Sequence, residues 1–437
     1  MPTGAWRPRL GRRQRKMDGR KKTLAEVVGP GGQWGEFCHD GQSFPTVCRE
    51  FWTSRQRQAS SLHEISYRAC FKPQLPRFFI EKLTKPLESV YDPFGGRGTT
   101  AIEAAIMGRL PISNDISPLS RMLAQPRMAL PSHEAASKRM LQIPRETDEE
   151  CDLGMFYHPK TEAEIRGMRR WFIEREKNGS FDEIDAWLRM VATSRLTGHS
   201  AGFFSVYTLP PNQAVSAEKQ AKLNKKGGQS PEYRDAHALT LKKSKQLLDG
   251  VSRQERENIA AMCKYATFLT RDARSTPKIK SGAISLTVTS PPFLDVVSYR
   301  DDNWLRCWFC GLDADAIGGK ITICHKIEDW AQAMGEVLKE LFRVTKPWGH
   351  VAFEVGEVKK GTVNLEEIIL PLGLGVGFEP MGIMINEQTF TKTANIWGVD
   401  NNAKGTNSNR IVLFKKMPAR GPVGSEGPSI KKGQRLG

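Results

Sequence analysis

The chain has 437 residues, 39% hydrophobic and 26% charged, a balance that suits a folded soluble protein of two domains, or of one with a large insertion. No apolar run approaches the ~20 residues that span a bilayer, and no apolar segment follows the basic start. A membrane anchor and an export leader are therefore not expected, and the cytoplasm is the expected location. The formal net charge is +17, and it is concentrated in three places. Residues 1–22 hold nine Lys and Arg against one acid, residues 415–437 six against one, and residues 216–257 ten against six. Such segments suit a phosphate backbone, or are solvated tails.

The eight cysteines are scattered through a chain too large to need disulfide staples, so they are read as reduced. Cys307 and Cys310, followed by Cys324 and His325, have the residue types of a zinc site. They lie among Trp304, Leu305 and Trp308 in a stretch with the pattern of a buried helix, where Cys acts as a small hydrophobe. No metal is expected.

In chain order, residues 1–30 are expected to be a disordered basic tail. An apolar run at 89–94 predicts a buried strand, 99–107 a helix stopped by Gly108, and 111–116 the next strand, with Asp115 near its carboxyl end. After Pro126 the alternation breaks. Residues 126–255 predict a helical insertion, with helices over 166–176 and 184–191 and loops over 198–215 and 225–231. The rhythm resumes with strands at 266–270 and 283–289, a helix at 330–342, a strand at 350–355, a helix at 365–372 and strands at 381–385 and 410–414. Strands alternating with helices predict a parallel sheet with right-handed crossovers. The two closing strands, with no helix between them, predict an antiparallel hairpin at one edge. Residues 31–125 and 256–416 thus form the two parts of one α/β domain, and 417–437 a second disordered basic tail.

Two motifs carry chemistry. The first is Asp92-Pro93-Phe94-Gly95-Gly96-Arg97-Gly98-Thr99-Thr100, a glycine turn between strand and helix. It lets a ligand approach backbone that a Cβ would obstruct. It is no phosphate-binding P-loop, because no Gly-Lys-Ser/Thr closes it. Asp115, at the next strand end, is placed to accept both ribose hydroxyls of an adenosine ligand. The second motif is Thr289-Ser290-Pro291-Pro292-Phe293. Two prolines hold the chain extended beyond a strand. Ser290 Oγ and the following carbonyl can then accept the two protons of an amino group, and Phe293 offers a face for an extruded base.

Together these residues resemble the cofactor and catalytic motifs of the DNA amino-methyltransferases, which make N4-methylcytosine or N6-methyladenine. The resemblance covers roughly residues 63–125 and 255–416. It implies a Rossmann-like, seven-stranded, mostly parallel sheet with an antiparallel last strand, and S-adenosyl-L-methionine as cofactor. The implied cofactor-binding residues are Phe71, Lys72, Pro73, Asp92, Pro93, Phe94, Gly95, Gly96, Gly98, Thr99, Thr100, Asp115 and Asp272. The implied catalytic residues are Ser290, Pro291, Pro292 and Phe293. Phe71 to Pro73 lie in a stretch similar to the family's segment beside the methionine end of the cofactor. Asp272 is similar to its acceptor for the cofactor's adenine amino group. The family often has Ser at the place of Arg97 and Tyr at that of Phe293. The implied partner is double-stranded DNA with the target base flipped out, alongside a restriction endonuclease in some systems. Ser before Pro-Pro favours cytosine N4 over adenine N6. An RNA amino-methyltransferase and a non-catalytic nucleotide-binding protein are the alternatives. The insertion matches no motif, but Arg195 through Lys226 joins His199, Phe203, Phe204, Tyr207 and a Pro210-Pro211-Asn212 turn to Lys219, Lys222, Lys225 and Lys226, and is expected to contact DNA.

Overall fold

The computed structural model describes residues 22–52, 59–65, 67, 70–145, 152–208, 215–292, 299–321, 324, 326–358, 363–387 and 408–418. The first element, α1 (Leu24–Val28), is held by a capping box between Thr23 and Glu26 and buries Leu24, Val27 and Val28. The basic tail expected up to residue 30 therefore overlaps a capped and packed helix. A hairpin follows, β1 (Gln33–His39) and β2 (Gln42–Arg49). Then come α2 (Gln74–Leu83), β3 (Ser89–Asp92), α3 (Thr99–Ile106), β4 (Leu110–Asp115) and α4 (Pro118–Ala124).

The insertion contains α5 (His133–Gln142), α6 (Pro159–Lys177), α7 (Glu183–Thr193), α8 (Ala217–Gly227), α9 (Ala236–Asp249) and α10 (Arg253–Cys263). The alternation returns with β5 (Thr267–Thr270), β6 (Ile284–Thr289), α11 (Tyr299–Phe309), α12 (Ala314–Gly318), α13 (Ile327–Val344) and β7 (Thr345–Val355). A small hairpin, β8 (Glu357–Val358) and β9 (Val363–Asn364), precedes α14 (Glu366–Gly375), β10 (Glu379–Glu387) and β11 (Ser408–Lys415).

The main sheet has nine strands in the order β1-β2-β10-β11-β7-β6-β3-β4-β5. Its β10 to β5 portion has seven strands, parallel except for β11, which runs antiparallel to both β10 and β7. Three expectations are corrected here. The sheet has nine strands instead of seven, because β2 adds in parallel to β10 with Ile383 opposite Thr46. The β10–β11 pair is consequently internal, with the early hairpin forming the edge. The loop expected over 225–231 is also shorter, since α8 runs through Gly227.

Apolar side chains divide among three cores. One face of the sheet packs Val90, Leu286, Val288 and Met384 against Phe79 and Ile80 of α2. The other packs Phe353, Val412 and Phe414 against α13 and α14 through Val337, Leu341 and Ile369. The third core joins the insertion (Phe156, Phe172, Trp187, Leu188 and Leu247) to Ile102 and Ile106 of α3 and to Leu305 and Phe309 of α11. The insertion thus shares its core with the helices that follow both sequence motifs.

Candidate active site

The glycine turn sits between β3 and α3, and its shape follows from close packing. A Cβ at Gly95 would lie 2.1 Å from Ser113 Oγ, and one at Gly98 would lie 2.5 Å from Ala124 Cβ with φ already at +80°. Only glycine fits either place. The Gly96 N–H donates to Asp115 Oδ2 at 2.8 Å and the Ser117 N–H to Asp115 Oδ1 at 2.9 Å. Asp115 therefore fastens the turn to the carboxyl end of β4. Burial pushes its carboxyl up to about 6 despite these backbone donors.

Asp92 closes β3. Its Oδ1 accepts from the Phe94 N–H at 3.1 Å and from Thr289 Oγ1 at 2.6 Å, which ties the two motifs together across neighbouring strands. Burial pushes the Asp92 carboxyl up to about 7 against those hydrogen bonds. Thr100 Oγ1 donates to the Val288 carbonyl at 3.1 Å, a second link between them. Thr99 is buried beside it and accepts from Arg97 Nε at 3.2 Å. Pro93 accepts from Asn114 Nδ2 at 3.2 Å through its carbonyl, and half-buried Phe94 packs on the α13–α14 side.

Ser290 follows β6 and is half-buried. Its hydroxyl is hydrogen-bonded to Glu354 of β7, a carboxyl that burial pushes up to about 7, with the nearby Asp92 charge adding and the Asn409 and Ser290 hydrogen bonds opposing. Asn409 Nδ2 donates to Glu354 Oε1 and Asn409 Oδ1 accepts from Asn386 Nδ2 at 3.3 Å. Asn386 Oδ1 in turn accepts from the Phe51 and Trp52 N–H groups at 2.7 and 3.3 Å. Pro291 is buried and Pro292 exposed. The Pro292 carbonyl accepts from the Trp330 indole at 3.0 Å, which pins the Pro-Pro segment to α13. Phe293 lies outside the described residues.

The segment before α2 covers the turn: a Cβ at Gly96 would meet Cys70 Sγ at 3.2 Å. Phe71 packs against the α2 core, Pro73 is the residue preceding α2, and burial holds the Lys72 ammonium below its ordinary value. Asp272 follows β5, at the same edge of the sheet. Its Oδ2 accepts from Arg274 Nη2 at 2.6 Å and its Oδ1 from the Arg274 N–H at 2.9 Å, and the first of these holds its carboxyl below the usual range.

Several residues were missed from sequence. Glu354 is a lone acid in an apolar strand, His350-Val-Ala-Phe-Glu-Val, and that isolation is the signal that could have found it. Arg97, unexplained by the motif, donates through Nη1 to the His63 and Ile65 carbonyls at 3.3 and 3.2 Å. Fully buried Arg127 donates to the Leu62 carbonyl at 2.9 Å and to that of Arg97, and burial pulls its guanidinium down to about 9. Behind the turn, buried Glu103 accepts from His63 at 2.7 Å and Arg77 at 2.8 Å. These contacts lock residues 60–65 against the turn. Two of the four expected rings of the insertion are corrected: Phe203 and Phe204 are buried, with Arg195 stacked 4.0 Å over Phe203. Phe204 belongs to the core shared with α3 and α11, and Phe203 packs against His199. The turn at Pro210-Pro211-Asn212 and His325 lie outside the described residues.

The glycine turn, the β4-end acid and the covering segment fit an adenosyl ligand, and buried Asp92 and Glu354 with half-buried Asp115 suit a cationic one. No helix among the described residues is long and apolar enough to cross a membrane.

Residues 12–123 match the model of a family described as DNA methylase. No curated protein matches the chain. Among solved structures, the chain is similar to TrmN from Thermus thermophilus, with 12% identity over 83% of this chain and 52% of that one and a TM-score of 0.31. A second Thermus thermophilus protein, assigned as a DNA modification methylase and complexed with S-adenosyl-L-methionine, has 20% identity over 35% of this chain and 56% of that one, with a TM-score of 0.22. The rRNA methyltransferase aviRa from Streptomyces viridochromogenes has 10% identity over 82% and 90%, with a TM-score of 0.32. The chain spans about half the length of the first two, and overlaps this slight carry no functional weight. The family match covers α1 to α4, the part that holds the glycine turn and Asp115. Over residues 12–123 the chain is thus similar to the DNA methylase family.

Proposed function

We propose that the protein methylates the exocyclic amino nitrogen of a base in double-stranded DNA, cytosine N4 ahead of adenine N6. The observation that carries this reading is the placement of Ser290 at the carboxyl end of β6, one strand from the glycine turn, with its hydroxyl hydrogen-bonded to Glu354. A hydroxyl whose proton goes to a carboxylate keeps its lone pairs for another donor, here an amino group. The family match supports DNA as the nucleic acid. Ser before Pro-Pro supports cytosine.

An aromatic amino nitrogen is a poor nucleophile because its lone pair is delocalised into the ring. Accepting its protons at Ser290 Oγ and the Pro291 carbonyl localises that pair and orients it. The target base leaves the duplex stack to reach Ser290, at a cost of a few kcal/mol. When bound, S-adenosylmethionine supplies a methyl group on an electrophilic sulfonium. Gly95, Gly96 and Gly98 would give it backbone to lie against, Asp115 would accept from the ribose hydroxyls, and Phe71 to Pro73 would hold the methionine end. Asp272, whose two oxygens accept from Arg274, would take the adenine amino group. The decisive test is incubation with labelled cofactor and duplex DNA or RNA, followed by digestion to nucleosides and identification of the modified base by mass. Label in N4-methylcytidine from RNA, or no label in either polymer, overturns the reading.

A further inference from the structure

α8 differs from the other insertion helices in burying a single residue, Gln220. Isolated helices of its length are marginal in water, and amides hold this one. Gln220 Nε2 donates to the Tyr207 carbonyl at 3.0 Å and Asn224 Nδ2 to that of Met155 at 2.7 Å. Just past the helix, Gln229 Nε2 donates to the same Tyr207 carbonyl at 3.0 Å. The helical repeat sets Lys219, Lys222, Lys225 and Lys226 on the side opposite Gln220 and Asn224. All four lysines are exposed, Glu218 is the helix's one acid, and among the described residues none of the four lysines forms an ion pair.

Like charges three and four residues apart weaken a helix by a few tenths of a kcal/mol per pair, and Glu218, four residues before Lys222, is the one acid on this face to offset them. The helix is also tied to the site. Trp304 of α11, the helix after the Ser290 motif, donates its indole N–H to the Val215 carbonyl at 3.4 Å, two residues before α8 begins.

We propose that the lysine face of α8 is a docking surface for the phosphate backbone of duplex DNA, held in fixed relation to the catalytic segment through Trp304. The proposal rests on the reading of the substrate as DNA. Its test is fluorescence anisotropy of a labelled mixed-sequence duplex with the full chain, across a range of salt concentrations. Replacing Lys222, Lys225 and Lys226 together with Ala weakens binding on the order of tenfold and flattens the log–log salt slope by up to about 2.7. Replacing the same three with Arg keeps the parent's affinity. Ala favours helix, so an unchanged melting curve accompanies the loss. A parent chain that binds duplex while the Ala variant binds equally well, with the same slope, overturns this inference and leaves the DNA reading standing. A parent chain that binds no duplex overturns both.

Discussion

Ser290 stands between the Glu354 carboxyl, to which it is hydrogen-bonded, and the place proposed for the amino group. Ser290→Ala should therefore keep cofactor affinity and lose roughly 10²–10³ in single-turnover rate, since a lost transition-state hydrogen bond has about that effect. Quenched-flow methyl transfer beside cofactor titration by calorimetry separates the two, and an unimpaired rate removes Ser290 from the chemistry. Asp115 behaves in the opposite way. Its carboxylate carries the Gly96 and Ser117 N–H groups, so Asp115→Ala loosens the turn as well as removing the ribose acceptor. Calorimetry should show cofactor affinity down by tenfold or more, with a smaller change in rate at saturation. An unchanged dissociation constant would place the ribose elsewhere. Asp115 was legible because a strand-end acid after a glycine turn is a local pattern. Glu354 was not, because the strand pairing of β7 with β6 sets it beside Ser290 from 64 positions away along the sequence.

The elements most readable in the sequence are those buried on both faces. β3 and β6 are buried at every residue and read as short apolar runs bounded by turns. The β1–β2 hairpin gave no such signal, since β1, Gln-Trp-Gly-Glu-Phe-Cys-His, is mostly exposed. With a polar outer strand, the hairpin's place is fixed by the β2 pairing to β10, which no local window contains. The glycine turn makes the strictest demand on geometry. Gly98→Ala adds a left-handed strain to a contact 2.5 Å from Ala124 Cβ, and α3 must tilt away from α4 to relieve it. The expected result is a loss of about 2–4 kcal/mol in urea unfolding together with weaker cofactor binding. A variant as stable as the parent would show that the turn relaxes freely.

Across the whole molecule, the raised carboxyls of the site should set its pH response. Asp92 and Glu354 are pushed up to about 7 and Asp115 to about 6. Raised carboxyl values mean that the folded chain holds more protons than the unfolded one. Their contribution to stability is complete below the ordinary carboxylate range and is lost as pH rises through about 7. Burial pulls His237 and His350 down to about 4, which acts in the opposite direction below their ordinary value of 6.5. The cofactor-free protein should therefore melt at falling temperatures between about pH 6.5 and 8, and Glu354→Gln should recover part of that loss at pH 8 but not at pH 5. Scanning calorimetry at those values checks it, and a variant with the parent's pH profile would show that Glu354 titrates normally. The pairing of β2 with β10 has a consequence for synthesis. Phe51 and its acceptor Asn386 are 335 residues apart, so at ribosomal speed the early hairpin waits on the order of tens of seconds for its neighbour. Throughout that interval β2 presents an unpaired edge, which β10 closes before β11 joins that side of the sheet to β7.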